Sequence, residues 1–274
     1  LGATADASCV ACGAGKYLVS VGNDAESDCV LCGTGKYSAT TGATTTATCL
    51  DCEAGRFSPN LGNAAGSDCT VCGAGKYSAE EGATHAGTCV NCVAGKYLTT
   101  AGNDDATDCV SCTQGKYSPT IGATTEASCQ SCGAGKYLVT QSNDAESDCE
   151  DCGSGKYSSS VGSSACQDCG AGKYLATQGS DVASDCVSCM TGTYSSVTGA
   201  TTATECVGCA AGKHLSSTGN DDESDCEVCA EGKYSTSVGL SVCDDCAAGK
   251  YSLTPGSNAA SGCVDCGAGT FSSL

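Results

Sequence analysis

The chain has no tryptophan, one methionine, three prolines, two phenylalanines and two histidines among its 274 residues. That shortage excludes an ordinary apolar core, because large aliphatic and aromatic side chains are what a globular interior is made of. No segment keeps a 3.6-residue apolar period over three turns, which argues against helices, and glycine recurs often enough to weaken any helix it interrupts. No apolar run is long enough to cross a membrane. Twelve Lys and Arg stand against 31 Asp and Glu, a formal charge of −19, and this argues against a nucleic-acid-binding face. No Asn opens an N-x-Ser/Thr sequon, so N-glycosylation has no acceptor. His85 and His214 are isolated and no acid pair stands outside the repeated loops, which leaves no candidate active site and predicts a protein that is not an enzyme.

What is abundant is cysteine, with 28 residues in fourteen C-x-x-C pairs. The pairs begin at Cys9 and recur every 20 residues, except that the steps from Cys149 to Cys166 and from Cys226 to Cys243 are 17. Each repeat reads C-x-x-C-x-x-G-K-Y, followed by a short spacer, usually a glycine, and a polar stretch to the next cysteine, as in Cys29 to Gly42. The aromatic slot holds all eleven tyrosines, both phenylalanines (Phe57 and Phe271) and His214. The slot before it holds every basic residue; Thr193 and Thr270 fill the remainder. A second period of about 40 residues overlies the first. Loops after Y-L carry acids, loops after Y-S carry threonine, and the two kinds alternate with degenerate copies at Phe57 and Tyr251.

A 20-residue repeat cannot bury enough surface to hold itself together, so cross-links must replace the missing core. The cysteines leave two readings. Spacings such as Cys29-x2-Cys32-x16-Cys49-x2-Cys52 fit a four-thiolate zinc site, giving a zinc-binding array. The favoured reading is a disulfide framework in an oxidising, extracellular compartment. The fold class expected over residues 1–274 is one continuous array of small disulfide-rich tandem repeats, with no separate globular domain. It would be an elongated rod or solenoid of fourteen units with short β-ladders and loops and essentially no helix, each unit touching mainly its two neighbours.

The pattern C-x-x-C-x-x-G-x-Y-x(4)-G-x(n)-C-x-x-C resembles the ephrin-receptor-like cysteine-rich repeat. It is also similar to the first loop of tumour-necrosis-factor receptor modules. The resemblance implies an extracellular, disulfide-laddered rod, and implies neither a kinase nor signalling. In the receptor pattern the cysteine before G-x-Y bonds the first cysteine of the next pair. Carried over, this gives Cys12–Cys29, Cys32–Cys49, Cys52–Cys69, Cys72–Cys89, Cys92–Cys109, Cys112–Cys129 and Cys132–Cys149. It continues as Cys152–Cys166, Cys169–Cys186, Cys189–Cys206, Cys209–Cys226, Cys229–Cys243 and Cys246–Cys263. Cys9 and Cys266 are then left for an inter-chain or inter-segment disulfide. The alternative, 40-residue modules with Cys9–Cys29 and Cys12–Cys32, closes every cysteine internally and suits the two shortened Y-S loops. Sequence leaves both open.

The remaining expectations concern surfaces. The acids Asp24, Glu26, Asp28, Asp144, Glu146 and Asp148 are candidate calcium ligands, set against a solvated acidic face. Thr44, Thr45, Thr46, Thr124, Thr125, Thr201 and Thr202 lie in Ser/Thr-rich loops and are candidate O-glycosylation sites, set against plain solvated turns. Each aromatic is expected to pack on its own disulfide, and each lysine to face the acids of an adjacent loop. Joined tail to head, the ends read F-S-S-L-L-G-A-T and keep the register of the repeat. The array is therefore expected to continue, as a longer polypeptide or a head-to-tail assembly. The functional expectation is an extracellular structural fibre or filament, with the stalk of a surface receptor or adhesion protein as the alternative.

Overall fold

Each glycine of the G-K-Y motif has left-handed backbone, as at Gly35 with φ 72°. It closes a reverse turn in which the Lys36 N–H donates to the Gly33 carbonyl at 3.2 Å. A turn of this kind places its third residue at positive φ, which glycine adopts without steric cost. The turn leads into a two-residue strand, β1 at Lys16–Tyr17 in the first repeat. The two residues inside the next C-x-x-C form its antiparallel partner, β2 at Val30–Leu31, with Tyr17 opposite Val30 and Lys16 opposite Leu31. The same register recurs for Lys36–Tyr37 against Leu50–Asp51, and on to Lys250–Tyr251 against Val264–Asp265. The computed structural model describes residues 9–273. The tail-to-head register involving Leu1, Gly2, Ala3, Thr4 and Leu274 falls outside the described residues.

Among the described residues there is no α-helix. Three-residue 3₁₀ turns such as Glu26–Asp28 and Thr46–Thr48 instead precede most first cysteines, in segments that the sequence reads only as loop. In the acidic loops the third residue of the turn ties it back: Asp28 Oδ2 accepts the N–H of Ala25 at 3.1 Å and of Asp24 at 3.3 Å. Asp148 does the same for Ala145 and Asp144. The shortened loops before Cys166 and Cys243 carry no such turn, so the three missing residues come from this segment.

The repeats fall into two compact bodies, one of Leu1–Gln130 with Thr140–Asp148 and one of Ser131–Val139 with Cys149–Leu274. Within each body the loops stack by backbone hydrogen bonds. In the first, Leu18 N–H donates to the Ala43 carbonyl at 2.9 Å, Gly15 N–H to the Ser38 carbonyl at 2.7 Å and Gly42 N–H to the Cys12 carbonyl at 2.8 Å. Parallel bridges such as Tyr17 with Ala43 and Tyr37 with Asn63 belong to the same contact. In the second body, Leu175 N–H donates to the Ala200 carbonyl and Gly172 N–H to the Ser195 carbonyl.

The stacking reaches further than nearest neighbours. A Cβ on Gly55 would lie 2.4 Å from the carbonyl oxygen of Gly102, two repeats along. Gly172 meets Gly219 in the same way in the second body, at 2.3 Å. Gly55 and Gly172 are thus required twice, by positive φ and by close backbone approach, whereas at Gly232 and Gly249, where a Cβ meets nothing within 4 Å, positive φ alone calls for glycine.

The 40-residue period also has a structural cause. The residue after the aromatic is buried in both kinds of loop: Leu98, Leu138, Leu175 and Leu215 in one, Ser38, Ser58, Ser118 and Ser235 in the other. Leucine fills that slot with side chain. Serine fills it with a hydroxyl that bonds locally, as where Asn63 donates to Ser58 Oγ at 2.9 Å.

Replacing Gly55 by alanine is expected to cost about 2–4 kcal/mol from left-handed strain plus overpacking. Gly73, where a Cβ meets nothing within 4 Å, serves as the neutral control. Thermal unfolding should separate the two variants clearly, and hydrogen exchange should localise the Gly55→Ala damage to the loops containing Gly55 and Gly102.

Candidate functional site: the disulfide ladder and its surfaces

Thirteen disulfides join the second cysteine of each pair to the first cysteine of the next, from Cys12–Cys29 to Cys246–Cys263. Their Cα atoms lie 5.6 to 5.9 Å apart, within the usual range. Eleven bonds span 17 residues; Cys152–Cys166 and Cys229–Cys243 span 14. Because Cys29 is bonded to Cys12, the 40-residue module with Cys9–Cys29 does not form. The four-thiolate zinc arrangement does not form either: Cys32 and Cys49 are bonded to each other, and a disulfide sulfur lacks the thiolate charge that zinc requires. Cys9 and Cys266 are free, the first exposed and the second half-buried.

The antiparallel pair sets this connectivity. Pairing Lys36–Tyr37 with Leu50–Asp51 carries Cys49 back beside the start of its own loop, where Cys32 lies. The Cys52 N–H then donates to the Gly35 carbonyl at 2.8 Å and fixes the second cysteine for the following rung.

Around each rung the packing differs from expectation. Tyr77 packs on Cys92–Cys109, the rung of the following repeat, together with Leu98 from that repeat's own loop. Tyr157 likewise covers Cys169–Cys186 and Leu175, and Tyr194 covers Cys209–Cys226 and Leu215. The stacking offset of the loops displaces these aromatics onto the neighbour's disulfide. In these three places the interior is a small cluster with a buried disulfide between contributions from two repeats. Cys32, Cys52, Cys72, Cys92, Cys132 and Cys152 are all completely buried.

The lysines also differ. Lys16 does reach Glu26 of the acidic loop at 2.8 Å, and Lys116 reaches Glu126 at 3.3 Å. Lys36, Lys136, Lys156, Lys233 and Lys250 instead pair with Asp51, Asp151, Asp168, Asp245 and Asp265. Those aspartates sit inside the next C-x-x-C, directly across the strand pair. Cross-strand neighbours lie close enough for such contacts without bending the loop. All these pairs are solvent-exposed and contribute little individually.

Electrostatic perturbations follow the loop hydrogen bonds. The Lys16 hydrogen bond holds the Glu26 carboxyl below its ordinary range. The backbone N–H groups of Thr107 and Ser224 do the same for Asp105 and Asp222. Backbone donation from Thr201 also lowers Glu205, whereas the Glu150 carboxylate beside Tyr137 raises its phenol. These carboxyl contacts persist above the ordinary carboxylate range and are lost as pH falls through the lowered values.

Of the proposed calcium ligands, Asp28 and Asp148 cap their own turns and Glu26 holds Lys16. Among the described residues, the acids of these loops do not converge on a common point. The seven candidate glycosylated threonines are all exposed. No helix among the described residues is long and apolar enough to cross a membrane.

Residues 140–186 match the family described as tyrosine-protein kinase ephrin type A/B receptor-like, so this stretch carries an ephrin-receptor-like cysteine-rich repeat. It contains the complete rungs Cys152–Cys166 and Cys169–Cys186, one of each length. Such repeats resemble non-catalytic receptor modules, and together with the dense disulfides they point to an extracellular setting. No curated protein matches the chain.

Digestion without reductant should yield peptide pairs linked only between successive C-x-x-C motifs. Disulfide mapping by mass spectrometry checks this, and links within a C-x-x-C or from Cys12 to Cys32 would contradict it. Leu98→Ala should destabilise its repeat by about 2–5 kcal/mol through the cavity it leaves on the rung. Exchange protection should fall around Cys92 and Cys109 while distant repeats in the same body keep theirs.

Proposed function

We propose that the chain is an extracellular structural protein, a segment of a fibre or filament such as a surface hair, sheath or wall component, with no catalytic role. One observation carries this reading. Within each body the same kinds of backbone hydrogen bond recur between successive repeats, so the architecture is devoted to propagation and almost no repeat has chemistry of its own. Repeats that each present the same surface to the next are suited to propagation.

Cys9 and Cys266 each correspond to one half of a rung. In the proposed fibre, Cys266 bonds the Cys9 of a following segment or copy, so the partner is the same kind of repeat. Head-to-tail contacts that do not close on themselves generate filaments. The exposed threonines at 44–46, 124–125 and 201–202 are proposed as O-glycan acceptors, and calcium bound between acidic loops of neighbouring segments would offset part of the −19 charge. A second reading, the stalk of a receptor or adhesion protein, is favoured by the ephrin-receptor-like match at 140–186.

Electron microscopy of native material distinguishes the two. The fibre reading expects long filaments with an axial repeat, whose covalent oligomers collapse to monomer on reduction and fail to form in Cys266→Ser. Dispersed single molecules, unchanged by Cys266→Ser, would defeat it.

A further inference from the structure

Eleven tyrosines and two phenylalanines fill the aromatic slot; His214 alone brings nitrogen to it. The ring occupies the tyrosine position, on the strand pair formed by Lys213–His214 and Glu227–Val228, with Glu227 directly opposite. Its Nε2 lies 3.7 Å from Glu227 Oε2. Its Nδ1 is buried and has no hydrogen-bond partner. An imidazole nitrogen without a partner in a buried position is costly, and a structural aromatic would have been served as well by tyrosine.

The rung beneath this slot is Cys229–Cys243, one of the two short ones. The ligand atoms of His214, Cys229 and Cys243 all lie within 4.8 Å of one another, and among the described residues this is the single such group of metal-binding side chains. In a tetrahedral site with metal–sulfur bonds of about 2.3 Å and metal–nitrogen bonds of about 2.0–2.1 Å, ligand atoms lie roughly 3.5–4 Å apart. The group is therefore nearly assembled. What it lacks is thiolate charge, because the two sulfurs are bonded to each other.

We propose that Cys229–Cys243 doubles as a redox-gated site for a borderline-soft divalent cation of the zinc class. An external thiol reductant attacks the disulfide, entering beside Cys243, which is half-buried while Cys229 is fully buried. Two reductant thiols form their own disulfide and transfer two electrons and two protons to the rung, which opens to Cys229–SH and Cys243–SH. The cation then displaces the two thiol protons to solvent. Both sulfurs and the unpartnered His214 Nδ1 bind it, water takes the fourth position, and Glu227 orients the ring from the Nε2 side. The metal bridge keeps the two chain segments joined, so the repeat retains a cross-link after the covalent one is gone. The flanking rungs Cys209–Cys226 and Cys246–Cys263 hold the surrounding loops meanwhile. The other twelve rungs have no imidazole beside them and lack this option.

The test compares the native chain with His214→Tyr, which installs the residue that eleven repeats already carry and so preserves packing. Both are partially reduced with dithiothreitol, freed of reductant without oxygen, incubated with Zn2+ and alkylated, and the labelled cysteines are mapped. Zn2+ should suppress labelling of Cys229 and Cys243 by about tenfold or more in the native chain, with the protection lost in His214→Tyr. Glu227→Gln should weaken it to a smaller degree. Equal protection in His214→Tyr would overturn the proposal, as would protection shared evenly among opened rungs. So would a Cys229–Cys243 bond that stays closed while other rungs open.

Discussion

A 20-residue repeat with one buried leucine or serine has too little apolar surface to offset the entropy of ordering it. The disulfide from one C-x-x-C to the next supplies what is missing. In the chain-entropy account, closing a loop of this size removes about 3 kcal/mol of freedom from the unfolded chain. The rung is also the largest apolar object in the repeat, buried between a leucine or serine from its own loop and an aromatic from the one before. Covalent closure and packing therefore converge on the same two sulfur atoms, and every other feature is arranged around them.

The left-handed glycine turns the chain so that Lys and Tyr pair with the residues inside the next C-x-x-C. That pairing delivers the cysteines to each other. It also sends the loop's backbone outward, where carbonyls and N–H groups meet those of the next two loops. Coupling to the second neighbour makes the stack stiffer than a chain of independent links, because one loop cannot tilt without disturbing two others within the same body. The surface remains free to vary, and it does: acids, threonines and single alanines replace one another in the loops while the turn glycine is constant.

Much of this was legible in the sequence. Strict spacing of Cys12, Gly15, Tyr17 and Cys29 exposes the repeat, and the absence of helical periodicity leaves strands and turns. Other features are set by three-dimensional offset, which spacing does not encode. Tyr77 resting on Cys92–Cys109 instead of its own rung depends on how far each loop is displaced from the last. The same offset brings Gly55 against Gly102, a contact 47 residues long in sequence with no signal except an invariant glycine. Lys36 choosing Asp51 over a loop acid follows from strand register, and was readable only once the strand pair was known. That the Asp28 carboxylate caps its own turn is likewise invisible in the sequence, where a capping aspartate carries the same letter as one that only faces solvent. His214 looked like a neutral replacement for tyrosine until its buried nitrogen was placed beside a disulfide.

The central claim is that the rungs replace a hydrophobic core, and full reduction in non-denaturing buffer tests it directly. Amide hydrogen exchange should show protection at Cys32, Cys52 and Gly55, whose N–H groups are bonded within and between loops, disappear together once the thirteen disulfides open. A reduced, alkylated chain that kept this protection would show that backbone stacking and the small clusters suffice without the covalent bonds, and would contradict the account.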